Sequence, residues 1–290
     1  MEDYIIRATA ANGTVRAFAA VTTNTVQEAH DVHGTSGVAT AALGRTLTAA
    51  AMLGRMFKNR RDVVTIQIKG DGPLGGIIAV SDQEANVRGY VYNPEVELPL
   101  NELGKFDVSA AVGRNGYLNV IKDLGLKEPY IGYVDLATGE IGDDMAYYFA
   151  YSEQIPSVVS LGVLVAPDGN VLTAGGYIIQ LMHGAEDGLA EFLERRVASL
   201  PPVTNILSGD GDPEAILHLV LGDIGLNITE SVPCRYLCNC SRDRMERNLM
   251  SLGKKELLEM ASEQHEAELQ CHFCSKKYHF TEKELLELTS

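Results

Sequence analysis

The chain carries five cysteines, at positions 234, 238, 240, 271 and 274, and four of them fall into two short pairs. Cys238-Asn-Cys240 and Cys271-His-Phe-Cys274 form a CxC and a CxxC with 30 residues between them. Thiols at either spacing can clamp one edge of a tetrahedron, and two such pairs make the four-thiolate set that Zn²⁺ favours in closed structural sites. The first expectation is one zinc ion per chain, held by Cys238, Cys240, Cys271 and Cys274. Other donors are close in sequence: Cys234 lies four residues before Cys238, and His265, His272 and His279 crowd the second pair. The simpler assignment leaves them out, with Cys234 a spare thiol, His272 the variable residue of a knuckle and His279 packed with Tyr278 and Phe280.

Such a site can do more than hold a fold together. Four thiolates around a divalent ion leave a net charge of about -2, which Arg235, Arg242, Arg244 and Arg247 are placed in sequence to offset. Thiolate is also the form that oxidants attack. Oxidation to disulfides would expel the zinc and remove the folding energy it supplied. The spacing is compatible with both an inert staple and an oxidant sensor.

The elements around the cysteines must bring them together. Ser241 to Gln270 reads as helical with a break at Gly253, and Thr281 with Glu284 makes a capping box for a last helix. From residue 233 onward only 58 residues remain, too few for much of a core. A structural zinc, with an apparent binding energy of ~10 to 16 kcal/mol, would then be the folding energy of this tail.

The first 180 residues alternate strand and helix signals. Val64, Ile66 and Ile68 fall on one face of Val63–Lys69 and Thr65, Gln67 and Lys69 on the other, the period of a half-buried strand. Ile77–Val80 and Val87–Tyr92 follow as an antiparallel meander. Ser36 to Phe57 predicts a long alanine-rich helix, with Gly44 and Gly54 permitting close packing against a sheet. Gly70-Asp-Gly72-Pro-Leu-Gly75 matches GxGxxG, but strand residues follow where a dinucleotide site needs a helix, so a hairpin is expected. Arg45 in its apolar helix reads as a snorkelling or paired side chain. Ser251 to Lys254 matches SxxK at what looks like an exposed helix boundary, and His265-Glu266 lacks the second histidine of a metalloprotease helix.

From Glu186 to Glu230 the pattern is helical and interrupted, with Pro201-Pro202 as one break, Asp212-Pro213 as a helix start and Gly222 as a stop. Residues 181 to 232 carry two basic and nine acidic side chains, in a chain of net charge -15. This acidic segment reads as a linker of marginal helices that cannot hold themselves folded without docking. The layout expected is an α+β chain: a mixed sheet-and-helix domain at 1–180, an acidic helical linker at 181–232 and a small four-cysteine zinc domain at 233–290.

Composition narrows the function classes. With 290 residues, 46% hydrophobic and 22% charged, the chain is an ordinary soluble globular protein in composition. The acidic start Met1-Glu2-Asp3-Tyr4 lacks a signal-peptide pattern. The longest apolar stretch, Val158 to Ala166, is far short of the roughly 20 residues that span a bilayer. A cytoplasmic location without membrane partners follows as the expectation. Net acidity opposes a zinc-ribbon module contacting nucleic acid through Arg242, Arg244, Arg247, Lys254 and Lys255. A thiol-disulfide oxidoreductase using Cys271 and Cys274 would need the CxxC to open a helix in a βαβ setting, which the context does not offer. No enzymatic activity is expected.

Across nearly its whole length the chain resembles the heat shock protein 33 family of redox-regulated chaperones. The resemblance rests on Asp3-Tyr-Ile-Ile-Arg-Ala-Thr-Ala-Ala-Asn-Gly13, His33-Gly-Thr-Ser36, Val38-Ala-Thr-Ala-Ala-Leu-Gly-Arg-Thr46, Gln67-Ile-Lys-Gly-Asp-Gly-Pro-Leu-Gly-Gly76, Ser152-Glu-Gln-Ile-Pro156 and the two cysteine pairs. It implies an ATP-independent holdase that binds unfolding client proteins, restrained by its linker and zinc domain when reduced. It implies zinc on Cys238, Cys240, Cys271 and Cys274 in the inactive state. It further implies disulfides Cys238–Cys240 and Cys271–Cys274 after oxidation, and a homodimer when active. Cys234 stands outside the motif.

Overall fold

The computed structural model describes residues 2–209 and 211–289. The chain divides into two compact units, Met1–Leu237 and Cys238–Ser290, and is of mixed α+β class, as expected.

The larger unit runs β1 (Tyr4–Ala10), β2 (Val15–Val21), α1 (Thr23–His33), α2 (Gly37–Gly54), β3 (Val63–Lys69), β4 (Ile77–Asp82), β5 (Asn86–Val91) and α3 (Val108–Val112). It continues with β6 (Tyr117–Asp123), β7 (Tyr130–Asp135), α4 (Ile141–Tyr151), β8 (Ser157–Val165), β9 (Val171–Leu181), α5 (Leu189–Ala198), α6 (Val203–Leu207), α7 (Pro213–Leu221), β10 (Asn227–Pro233) and β11 (Arg235–Tyr236). One sheet has the order β10-β1-β2-β9-β8 and the other β11-β5-β4-β3-β6-β7. Every pairing is antiparallel except β11 on β5.

Helix α2 packs on strands of both sheets, and its composition explains how. All of its residues are buried except Gly37 and Arg45, and so many alanines let sheets approach from several sides. Ser36 caps it, accepting from the Ala39 amide at 3.3 Å. Arg45 is paired with Glu140, as its place in an apolar helix requires. A Cβ at Gly44 would meet Val26 Cγ1 at 2.6 Å, and one at Gly54 would meet the Asp82 carbonyl oxygen at 2.3 Å. Val64, Ile66 and Ile68 point inward from β3. Ile68 stands opposite Ile77 across a hairpin at 70–75, with no helix there to cradle a pyrophosphate.

Residues 181–232 fold onto the first sheet. Helices α5, α6 and α7 bury Leu193, Val203, Leu207, Ile216, Leu217, Val220 and Leu221 against Ile6, Ala8, Ala17, Ala19, Tyr177 and Ile179. The Asp212 carboxylate accepts from the Glu214 amide at 2.7 Å, with Pro213 in the first turn and Gly222 as the C-cap, as read from the sequence. The helical pattern does not extend to Glu230, because 227–233 is strand β10, paired along β1 from Tyr4↔Pro233 to Thr9↔Asn227. Ile228, Glu230 and Val232 alternate with exposed neighbours, a period of two that a helical reading overlooks. Glu230 meets the buried Arg55 at 2.7 Å.

The smaller unit comprises α8 (Arg242–Met250), α9 (Lys254–Glu259), β12 (Glu266–Gln270), β13 (Lys277–Thr281) and α10 (Glu282–Glu287). The break at Gly253 and the Thr281–Glu284 capping box are both present. Residues 266–270, expected to be helical, form a strand instead. Ala267 and Leu269 alternate with polar residues and stand opposite Phe280 and Tyr278, so cross-strand burial overrides helix propensity. Among the described residues no helix is long and apolar enough to cross a membrane.

The contact at Gly54 gives a measurable consequence. Gly54→Ala should destabilise the larger unit by about 1 to 3 kcal/mol through overpacking, more than the ~1 kcal/mol of helix propensity gained. Urea denaturation would register it as a lower midpoint. An unchanged midpoint would mean that α2 and β4 can separate without loss.

Candidate metal centre

Cys238 and Cys240 lie in an irregular stretch just before α8. Ser241 ends it, its hydroxyl accepting from the Arg244 amide at 3.2 Å and starting the helix immediately after the second thiol. Cys271 and Cys274 occupy the turn between β12 and β13. There the Cys271 amide donates to the Lys276 carbonyl at 2.9 Å and the Ser275 amide to the Cys271 carbonyl at 2.8 Å. Ser275, at φ 57, adopts the left-handed conformation that closes this turn.

These two pieces of backbone bring all four thiols into one cluster. The four sulfurs lie within 4.8 Å of one another. Across the two motifs, Cys238 Sγ is 3.6 Å from Cys271 Sγ and Cys240 Sγ is 3.4 Å from Cys274 Sγ. Tetrahedral bonds of about 2.3 Å place thiolate sulfurs about 3.8 Å apart. The donor set and its dimensions therefore fit a single metal ion.

The surroundings bias the thiols unequally. Burial pushes the Cys238 and Cys274 thiols above the usual cysteine range. Burial acts the same way on Cys240, but hydrogen bonds from Tyr278 and the neighbouring thiols outweigh it and bring that thiol down. The Tyr278 hydroxyl donates to Cys240 Sγ at 3.1 Å. Sequence spacing gave no sign of this contact. The readable clue is that Tyr278 and Phe280 are the two inward positions of β13.

The remaining nearby donors have other work. His265 bonds Glu282 at 3.0 Å, and His279 bonds Glu268 at 3.2 Å. Neither they nor His272 belong to the thiol group. Of the arginines, Arg235 lies in the larger unit and donates to Asn86 at 2.8 Å. Arg242 sits 4.3 Å over the Phe280 ring and bonds Glu284 at 2.6 Å. Arg242 is thus already neutralised and packed, and Arg244 bonds Asn239 at 3.3 Å.

Cys234 is likewise separate from the cluster. It is buried in the larger unit, where its amide donates to the Asp3 carbonyl at 2.9 Å and Thr25 Oγ1 donates to its sulfur at 3.9 Å. Burial, reinforced by the Asp3 carboxylate, pushes its thiol up to about 12.

A mixed α+β body followed by a small unit built round four clustered thiols defines a class of two-unit protein whose tail could hold a metal ion. The model of the Hsp33 protein family matches residues 3–281. The 33 kDa chaperonin of Acetivibrio thermocellus is 58% identical over 288 residues, covering 99% of this chain and 97% of that protein. That of Ruminiclostridium cellulolyticum is 56% identical over 285 residues, covering 98% and 97%. The crystal structure of a heat shock protein 33 homologue, a 33 kDa chaperonin from Thermotoga maritima, superposes with a TM-score of 0.92. Sequence identity to it is 39%, over 99% of this chain and 98% of that one. The chain belongs to the Hsp33 family.

The division of the cysteines is directly measurable. At pH 8 the reduced chain, once stripped of metal by a chelator, should react with a thiol reagent at four positions, and Cys234 should react only after denaturant is added. The sign follows from the shift: an unfolded cysteine ionises near ~8.5, whereas folded Cys234 keeps its proton until about 12. Stability from this site therefore falls as pH rises from about 8.5 towards 12. Labelling of Cys234 alongside the other four would contradict its assignment.

Proposed function

We propose that this chain is an ATP-independent chaperone whose holdase activity is controlled by the redox state of its four clustered thiols. The observation that carries the reading is the cluster itself: four thiols, one donor chemistry, within 4.8 Å of one another, in a chain of the Hsp33 family. When bound, a Zn²⁺ ion held by Cys238, Cys240, Cys271 and Cys274 supplies the folding energy that this unit lacks. Its buried core is small, comprising Met245, Leu249, Leu257, Ala261, Ala267, Cys271, Tyr278, Phe280 and Leu285.

Oxidation attacks the unit at its only strong constraint. Each cysteine pair gives up two electrons to a peroxide, which is reduced to two hydroxide ions, and a disulfide forms within the pair: Cys238 with Cys240, and Cys271 with Cys274. All four donors are lost together, and residues 233–290 unfold as the switch region. The acidic segment 181–232 is the second element. Its helices α5–α7 cover an apolar face of Ile6, Ala8, Ala17, Ala19, Tyr177 and Ile179 on the first sheet. With nine acidic and two basic side chains, it repels itself once docking fails. Release of this segment exposes an apolar sheet face to unfolding client proteins. In this reading residues 1–180 form the client-binding and dimerising core, the active form is a homodimer, and the setting is the cytoplasm. The chain needs no catalytic residue for this activity.

Two other uses of the tail are less well supported. A nucleic-acid interface on Arg242 and Arg244 would have to break their bonds to Glu284 and Asn239 against a net charge of -15. For a dithiol oxidoreductase, Cys271 and Cys274 lie in a turn between strands rather than at the start of a helix, the setting such a CxxC needs.

The test treats the reduced, zinc-loaded protein with hypochlorite, or with peroxide at raised temperature. Zinc content, far-UV circular dichroism and suppression of client aggregation are followed together. About one zinc per chain should leave as helix signal falls and aggregation is suppressed, and Cys238→Ser should abolish the normal redox response. Full activation with zinc still bound would overturn the proposal, as would a Cys238→Ser variant that switches normally.

A further inference from the structure

We infer that the free edge of β8 is a docking site for a short, extended apolar segment of an unfolding polypeptide, which adds to the first sheet as a further strand. The inference rests on the chaperone reading above and gives its clients a main-chain contact in addition to the apolar face already described. β8 is the last strand of its sheet, and among the described residues only β9 pairs with it. Edge strands are commonly protected by charge, proline or shortness. The opposite edge, β10, carries Glu230 and Pro233, whereas Ser157–Val165 includes neither a charged residue nor a proline over its nine positions.

The unpaired backbone of β8 is turned towards an opening. The Thr22 amide donates to the Ala174 carbonyl at 2.8 Å, so Ala174 directs its main chain to β2. Val163, its register partner, therefore has no bond from β9 and directs its N–H and C=O outward, as does Leu161 by the same alternation. They face a cleft of about 820 Å³ whose lining includes Val38, Ala41, Leu98, Phe106 and Val203. Unpaired backbone groups among apolar side chains are costly. An extended chain supplies their partners while its own apolar side chains meet the walls. A Cβ at Gly142 would stand 3.5 Å from the Val159 carbonyl oxygen, so α4 covers the edge before Leu161 and leaves Leu161–Val165 open, roughly 17 Å of strand. With Gly162, Val163 and Val165 buried, this edge lies too deep for the edge of a second folded copy and admits a single extended chain. A Cβ at Gly162 would meet Val203 Cγ1 at 2.8 Å. Helix α6 therefore narrows the cleft while the acidic segment is docked, and its release opens it.

The test uses the full oxidised chain and a fluorescein-labelled peptide of about ten residues, alternating valine and threonine. The peptide is made in three forms: unmodified, N-methylated at every valine, and N-methylated at every threonine. A strand added at one edge bonds through alternate residues only. The unmodified peptide and one methylated form should therefore bind comparably, and the other methylated form about tenfold more weakly. Hydrogen exchange at the Val163 amide should slow about tenfold when the unmodified peptide is bound. Comparable binding of both methylated forms would mean capture by apolar contact alone and would overturn the inference, as would unchanged exchange at Val163. Exchange at Val163 that is already slow without peptide and quickens on dilution would mean that a second copy occupies the edge, and would overturn it too. Normal redox-controlled suppression of client aggregation alongside any of these contrary results would leave the chaperone reading standing. Its absence would overturn that reading as well, which distinguishes the two failures.

Discussion

The constraint on which the proposed function depends is that the tail holds four sulfurs within 4.8 Å of one another. Two short strands, two helices of nine and six residues and a six-residue terminal helix surround the cluster. Without it they have little to pack on. Capping by Ser241 and Thr281, and the pairing of Arg242 with Glu284, contribute roughly 1 kcal/mol each at best. A metal held by four thiolates contributes an order of magnitude more. In the proposed function, that ratio would make the unit stable as a whole or not at all, with the chemistry of the sulfurs as the control point.

The larger unit has the opposite character. Its core lies between two sheets and around α2, with Leu43, Leu47, Met52, Ile66, Ile68 and Ile77 fully buried. Its outer layer is more delicate. The segment 181–232, with nine acidic and two basic side chains, lies through helices α5–α7 on an apolar sheet face. The short α6 and the Pro201-Pro202 break interrupt this layer between α5 and α7. In the proposed function, the core, the acidic cover and the four-thiol tail would be the parts of a switch in the order the chain presents them.

Much of this is legible in the sequence because it is local. The CxC and CxxC spacings, the alternation of Val63–Lys69, the Asp212-Pro213 start and the Thr281–Glu284 box each depend on a few neighbouring residues, and the structure contains all four features. What local patterns miss are strands defined by their partners. Residues 266–270 are rich in residues at home in helices, and the period of two in 227–233 is short and carries Glu230 among its inward positions. Only β1 and β13, distant or across a turn, make them strands. The same limit hides Tyr278: its bond to Cys240 spans 38 residues and no spacing rule links a tyrosine to a thiol. The burial of Cys234 by Asp3 and Thr25 is equally non-local, although its omission from the ligand set follows from the tetrahedron being complete without it.

The central claim, that metal ligation and folding of the tail are one equilibrium, is most directly tested by amide hydrogen exchange with simultaneous zinc readout. As zinc is withdrawn by a chelator under reducing conditions, residues 238–289 should lose protection in proportion to the metal lost, while β3, β4 and β6 keep theirs. Persistent protection of the tail after all zinc has gone would contradict the account, because its fold would then stand without the cluster.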